Sequence, residues 1–220
     1  MANQLNIKLP SLIIINGSQG NGKSHLIKYI MSKYKNKFSY GLVITNTFFT
    51  QDSFKYIPEK FVHSEYDEKV LTNFMNIQAE LVKNGTPKEA FLILNDAIDG
   101  DQWKSQTFKR LSVQLRHYHI TCIISTQHVN ALPPRIRGNA MYVAIFNTNT
   151  ENNTRAIYQS YAQMFENYNE FKNYIFDNTG NYKFLWVDTQ STETDKTKKY
   201  KIMKCPASIK DFKVEYKTNI

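Results

Sequence analysis

Gly17, Gly20, Gly22, Lys23 and Ser24 carry the spacing G-x-x-x-x-G-K-S, with one further glycine inside it. Glycines there let the backbone take dihedrals closed to other residues and bring its N–H groups close to phosphate oxygens. A helix that starts at the end of the loop adds the positive potential of its N-terminus. A lysine at this position reaches β- and γ-phosphates, and the serine hydroxyl is placed to hold Mg²⁺. Together these residue types grip a nucleoside triphosphate. Gly17, Ser18, Gln19, Gly20, Asn21, Gly22, Lys23, Ser24 and His25 are therefore the candidate nucleoside-triphosphate-binding loop.

Such a loop works only between a strand and a helix, and its flanks supply both. Leu12-Ile13-Ile14-Ile15 is a β-type apolar run, while Leu26, Ile27, Ile30, Met31 and Tyr34 fall on one side of a helix. This context makes a chance glycine-rich turn the weaker explanation.

The catalytic partners must come from another strand end. Phe91-Leu92-Ile93-Leu94-Asn95-Asp96 is an apolar run that ends in polar residues, the form of a parallel strand whose C-terminal end faces a site. It is the candidate Walker B element, whose acidic end holds the magnesium shell and positions the attacking water. Asn95 stands first in that pair, where an aspartate would hold a magnesium-bound water. Its amide oxygen can accept from such a water but brings no charge. Asp96 is thus the expected catalytic carboxylate, as base or as water-positioner, with Asp99 and Asp101 as possible substitutes. Ser24, Asn95 and Asp96 form the expected metal set. Gln127 closes Ser125-Thr126-Gln127, where a side-chain amide could sense the γ-phosphate or hold the nucleophilic water.

The remaining elements follow from periodicity. Tyr40 to Thr45, Ile120 to Gln127 and Met141 to Phe146 read as further buried strands. Ser64 reads as an N-cap for a helix through Val82, stopped by Asn84-Gly85 with Pro87 beyond. Trp103 to Arg116 and Asn153 to Tyr168 read as helices, and Asn46 to His63 carries no clear period. Alternating strands and helices predict an α/β fold, a mainly parallel sheet with helices on both faces. Tyr182 to Val187 and Tyr200 to Met203 predict a C-terminal β-hairpin. The expected organisation is a core over 1–180 with a basic extension of the same domain over 181–220, which holds nine lysines against five acids.

At 220 residues, with 41% hydrophobic and 14% aromatic residues, the chain can bury a core and is not of the disordered class. Its net charge of +9 suggests a polyanionic partner, nucleic acid above all, although lysine richness also serves solubility. Cys122 and Cys205 suggest neither a disulfide framework nor a zinc site, which fits a reducing compartment. Met1 to Pro10 lacks a signal pattern and no apolar run approaches the ~20 residues of a membrane span, so a soluble protein is expected.

One set of segments carries a resemblance. Gly17 to Ser24, Leu92 to Asp96, Leu115-Arg116-His117-Tyr118-His119-Ile120, Ser125 to Gln127, and Leu132-Pro133-Pro134-Arg135-Ile136-Arg137-Gly138-Asn139-Ala140 stand in order. The set resembles the FtsK–HerA superfamily of ring ATPases, and within it the genome-packaging ATPases of poxviruses and other double-stranded DNA viruses. The likeness covers about residues 11 to 160. It implies an additional-strand, catalytic-glutamate type of P-loop NTPase and a homo-oligomeric ring. It also implies ATP hydrolysis with Mg²⁺, coupled to moving double-stranded DNA, independent of sequence, into a preformed capsid, with the viral capsid or portal vertex as a partner. The site of action would be the host cytoplasm, the viral assembly site or the virion. Arg116 resembles the arginine that related ring motors insert into a neighbour's site, with Arg137 and Arg155 as weaker candidates. Competing readings are a small nucleoside or nucleotide kinase, another DNA translocase of this superfamily, and a nucleotide-binding module without turnover.

Overall fold

The computed structural model describes residues 5–46, 52–98, 100–148 and 150–217. The apolar runs become strands β1 (Leu12–Asn16), β2 (Tyr40–Thr45), β4 (Ala90–Asn95), β5 (Ile120–Thr126) and β6 (Tyr142–Ile145), and every residue in them is buried. Burial on both faces is what a parallel strand covered by helices demands. A two-residue strand, β3 (Val62–His63), adds an edge, and β7 (Lys183–Asp188) and β8 (Tyr200–Lys204) complete eight strands in the order β3-β2-β4-β5-β1-β6-β7-β8. Strands β1 to β6 run parallel, whereas β7 and β8 are antiparallel and continue the same sheet as the expected hairpin.

The register decides where chemistry can happen. Asn16 lies opposite Thr126, and Asn95 opposite Ser125, so β1, β4 and β5 end together on one edge of the sheet. Strand β5 stands between the Walker B candidate and the phosphate-loop strand, which is the additional-strand arrangement.

Alternate side chains feed two cores. Ile13 and Ile15 pack with Leu26, Ile27, Ile30 and Met31 of α1 (Lys23–Tyr34). Leu12 and Ile14 face the opposite layer. That layer holds α2 (Glu68–Lys83), α3 (Gln106–Gln114), α4 (Pro134–Asn139), α5 (Glu151–Tyr161) and α6 (Tyr168–Asn178). Each buried leucine or isoleucine contributes about 1.5–3 kcal/mol. The apolar face of α1 therefore fixes that helix on the sheet and, with it, the position of Lys23 and Ser24 at its first turn. Buried Gln78 of α2 ties the other edge: it accepts from Tyr40 Oη at 2.7 Å and donates to the carbonyls of Lys88 and Tyr118 at 2.9 and 2.7 Å.

Three helix limits differ from the sequence expectation. The N-cap of α2 is Asp67, whose carboxylate accepts from Lys69 N at 2.7 Å, rather than Ser64. The helix expected from Trp103 is split, because Ser105 accepts from Phe108 N at 3.3 Å and starts α3 afresh after a 3₁₀ turn over Gly100–Lys104. The single helix expected over Asn153 to Tyr168 is two. Helix α5 ends at Tyr161 and Asn167 caps α6, while Phe165 between them turns inward against Phe171, Tyr174 and Tyr200, with ring centroids at 5.2 Å.

The C-terminal segment returns to the domain. A short helix, α7 (Lys196–Lys199), precedes β8; beyond it Val214 N donates to Tyr56 O at 2.8 Å and Tyr216 Oη to Gly41 O at 2.6 Å. Val214 is 2% exposed. This segment thus covers the α1 face of the sheet, and several of its lysines are committed to intrachain partners, Lys196 to Glu170 and Lys198 to Glu193. Among the described residues no helix is long and apolar enough to cross a membrane.

Candidate nucleotide-binding site

The loop between β1 and α1 is held from below. Gly17 N donates to Thr126 O at 3.2 Å, and Asn21 Nδ2 donates to Asn147 O at 2.6 Å, which ties the loop to the ends of β5 and β6. Gly17 must be glycine, since a Cβ there would stand 2.6 Å from Phe146 Cβ. Gly22 must be too, because its φ of 100° is left-handed.

Lys23 is 7% exposed. Its Nζ donates to Gly17 O at 2.8 Å and Ser18 O at 3.4 Å and lies 3.6 Å from Asp96 Oδ2. Burial holds its pKa below the usual lysine range, and the Asp96 carboxylate opposes that shift by favouring the ammonium. Asp96 has a left-handed φ of 49°, which aspartate tolerates better than most residues, and its N–H donates to Ser125 O at 3.1 Å. The carboxylate is thereby turned from the end of β4 back toward Lys23.

Gln19, Gly20, Gly22, Lys23, Ser24, His25, Asn95, Asp96 and Gln127 all line one cavity of about 450 Å³. The residues singled out in three separate segments of sequence thus meet at one place. Gly17, Ser18 and Asn21 belong to the loop but serve to shape it. Asn95 is 4% exposed, and both ends of its amide bridge strands: Oδ1 accepts from Ser125 Oγ at 2.8 Å and Nδ2 donates to Thr45 Oγ1 at 3.4 Å. Asp101 is exposed and pairs with Lys104 at 2.6 Å, outside the cavity lining; Asp99 lies outside the described residues.

The arginines are elsewhere. Arg116 is exposed and precedes β5, at the end of the sheet opposite Gln127, so the length of a seven-residue strand, roughly 20 Å, separates it from its own cavity. Arg137 donates to Ser160 Oγ at 3.1 Å, and Arg155 pairs with Glu151 at 3.2 Å and lies over the Tyr168 ring at 4.2 Å.

Two residues escaped the sequence reading. Asn46, directly after β2, lines the cavity beside Asn95. Asn153 of α5 is 3% exposed and spans the floor: its Nδ2, with two hydrogens to donate, lies 3.2, 3.0 and 3.0 Å from Asn16 Oδ1, Gln127 O and Thr148 Oγ1, and its Oδ1 accepts from Val129 N at 2.8 Å. It fixes the backbone of Gln127 relative to β1. A lone asparagine in a helical pattern gives no signal of this role; the position of Asn46 at a strand's C-terminal end does.

A parallel sheet with an additional strand between the phosphate-loop strand and an acidic strand end defines a P-loop NTPase of the additional-strand type. The sequence profile of the family described as "Poxvirus A32 protein" matches residues 2–176, and the chain belongs to that family. The likeness to a poxvirus protein family drawn from the motifs is borne out. An uncharacterized protein 075L of Invertebrate iridescent virus 6 is 32% identical over 193 residues, covering 83% of this chain and 72% of the relative. An uncharacterized protein L437 of Acanthamoeba polyphaga mimivirus is 26% identical, with 82% and 67% covered. Among solved structures, the genome packaging NTPase B204 of Sulfolobus turreted icosahedral virus 2, in complex with ATP-gammaS, superposes with a TM-score of 0.64 at 24% identity, covering 88% of this chain and 96% of that one.

Proposed function

We propose that this chain hydrolyses ATP to drive viral double-stranded DNA into a capsid. The observation that carries the reading is the meeting of Lys23, Asp96 and Gln127 in one cavity with the phosphate loop. Lys23 would neutralise charge on the transferred phosphoryl group, Asp96 would take a proton from the attacking water or position it, and Gln127 would orient that water. Membership of the poxvirus A32 family and the shared fold with a packaging NTPase support the coupling to packaging.

Magnesium suits the donor set. The Ser24 hydroxyl and the Asp96 carboxylate share the cavity, and among the described residues no cluster of three or more His, Cys, Asp or Glu could hold a metal by itself. One carboxylate and one hydroxyl, completed by phosphate oxygens, is the form in which Mg²⁺ is held. Ser24 and Asp96 would hold it, with Asn95 beside them, and its charge would be spread over the phosphate oxygens.

The remote position of Arg116 leaves it a catalytic role only in a neighbouring subunit's site, which fits a homo-oligomeric ring. The excess of basic residues would grip duplex DNA by its phosphates. Duplex binding is therefore expected to be indifferent to sequence and to weaken steeply with salt, by roughly 10³ or more between 50 and 200 mM for a contact set of six or more phosphates. Fluorescence anisotropy with duplexes of unrelated sequence tests this. A strong preference for one duplex at fixed salt would contradict the translocase reading.

A further inference from the structure

A second cavity, of about 320 Å³, adjoins the first, and Gly22 and His25 line both. The two differ in chemistry. Where the first presents a lysine, a carboxylate and amides, the second is walled mainly by Phe146, Tyr182, Cys205, Pro206 and Ala207, with the exposed Lys204 completing the lining.

Its walls are fixed. His25 Nε2 donates to Pro206 O at 2.7 Å, which pins the segment after β8 to the first turn of α1. Phe146 packs on Phe184, with ring centroids at 5.0 Å, and against the backbone of Gly17. Tyr182 is the exception, a large aromatic residue that is 64% exposed. It and Asn181 take successive left-handed φ values of 62° and 55°, a conformation that L-residues adopt at a cost. The result is a ring laid beside the phosphate loop, since a Cβ at Gly22 would stand 3.2 Å from Tyr182 Cδ1. A strained backbone that holds an aromatic face in solvent, against a binding loop, points to a ligand rather than to the core.

A nucleoside triphosphate joins a polyanion to a flat, largely apolar ring system, and the two cavities present complementary surfaces on either side of Gly22 and His25. We propose that the base of the bound nucleotide occupies the second cavity, stacked on Tyr182. This assignment rests on the reading of the first cavity as the triphosphate site. Tyr182 is then a binding residue for the base and has no part in phosphoryl transfer.

Titration calorimetry of ATP and of inorganic tripolyphosphate, in magnesium buffer, separates the two cavities. Tyr182→Ala is expected to weaken ATP about tenfold or more, the usual scale for the loss of an aromatic stacking partner, and to leave tripolyphosphate unchanged. Tyr182→Phe keeps the stacking face and should bind ATP as wild type does. Tyr182→Asn, which tolerates the left-handed backbone without a ring, should match the alanine variant and guards against a folding artefact. The proposal is overturned if Tyr182→Ala leaves ATP affinity intact, if it weakens both ligands alike, or if wild type binds ATP no more tightly than tripolyphosphate. Failure of wild type to bind either ligand would instead remove the phosphate site, and the base site with it.

Discussion

Lys23→Ala is expected to lower ATP turnover by about 10²–10³, the scale on which removing one preorganised charge from a transferring group is felt. The fold should persist, because Lys23 contributes hydrogen bonds to Gly17 and Ser18 carbonyls rather than apolar packing, and burial already disfavours its charged form. Phosphate release, with circular dichroism as the fold control, reads both. Retention of near-normal turnover would move the active site elsewhere. The same variant tests Arg116. If Arg116 acts in trans, Lys23→Ala and Arg116→Ala proteins, each inactive alone, should regain part of their activity when co-assembled, since some interfaces then join an intact Lys23 to an intact Arg116. No recovery in verified mixed rings removes Arg116 and leaves Arg137 and Arg155 to be tried.

The adjacent pair at the end of β4 should separate chemistry from stability. Asp96→Asn keeps a residue type that tolerates a φ of 49° but deletes the carboxylate 3.6 Å from Lys23, so turnover should fall by about 10²–10⁴ with little change in melting temperature. Asn95→Ala removes the buried bonds to Ser125 and Thr45 and should cost about 1–3 kcal/mol of stability, with the smaller loss of turnover. Steady-state rates and thermal melts of the two proteins decide. A greater kinetic loss in Asn95→Ala would exchange the two roles.

These residues also mark how far the sequence could be read. Strand positions were legible because β1, β2, β4, β5 and β6 are buried on both faces and so appear as unbroken apolar runs. The loop, Asp96 and Gln127 were legible because each sits at the C-terminal end of such a run. The helices were less so, since their limits are set by single capping side chains, Asp67, Ser105 and Asn167, that compete with nearby alternatives. Long-range polar bonds left no trace in the sequence. Asn153 reaches back 137 positions to Asn16, and Tyr216 reaches Gly41 across 175, so no local pattern announces the floor of the site or the docking of the C-terminal segment. The sequence pattern marks Tyr182 only as the start of a strand, whereas its left-handed backbone places it before β7 and beside the phosphate loop.

The most direct measurement is the initial rate of phosphate release from ATP by the wild-type protein, with and without duplex DNA at one fixed salt concentration. The expected result is hydrolysis to ADP and phosphate that duplex DNA of any sequence accelerates, and that Lys23→Ala lowers by about 10²–10³ in both conditions. A rate indifferent to duplex DNA, transfer of phosphate to a nucleoside instead of water, or binding of ATP without turnover would each contradict a DNA-driving ATPase.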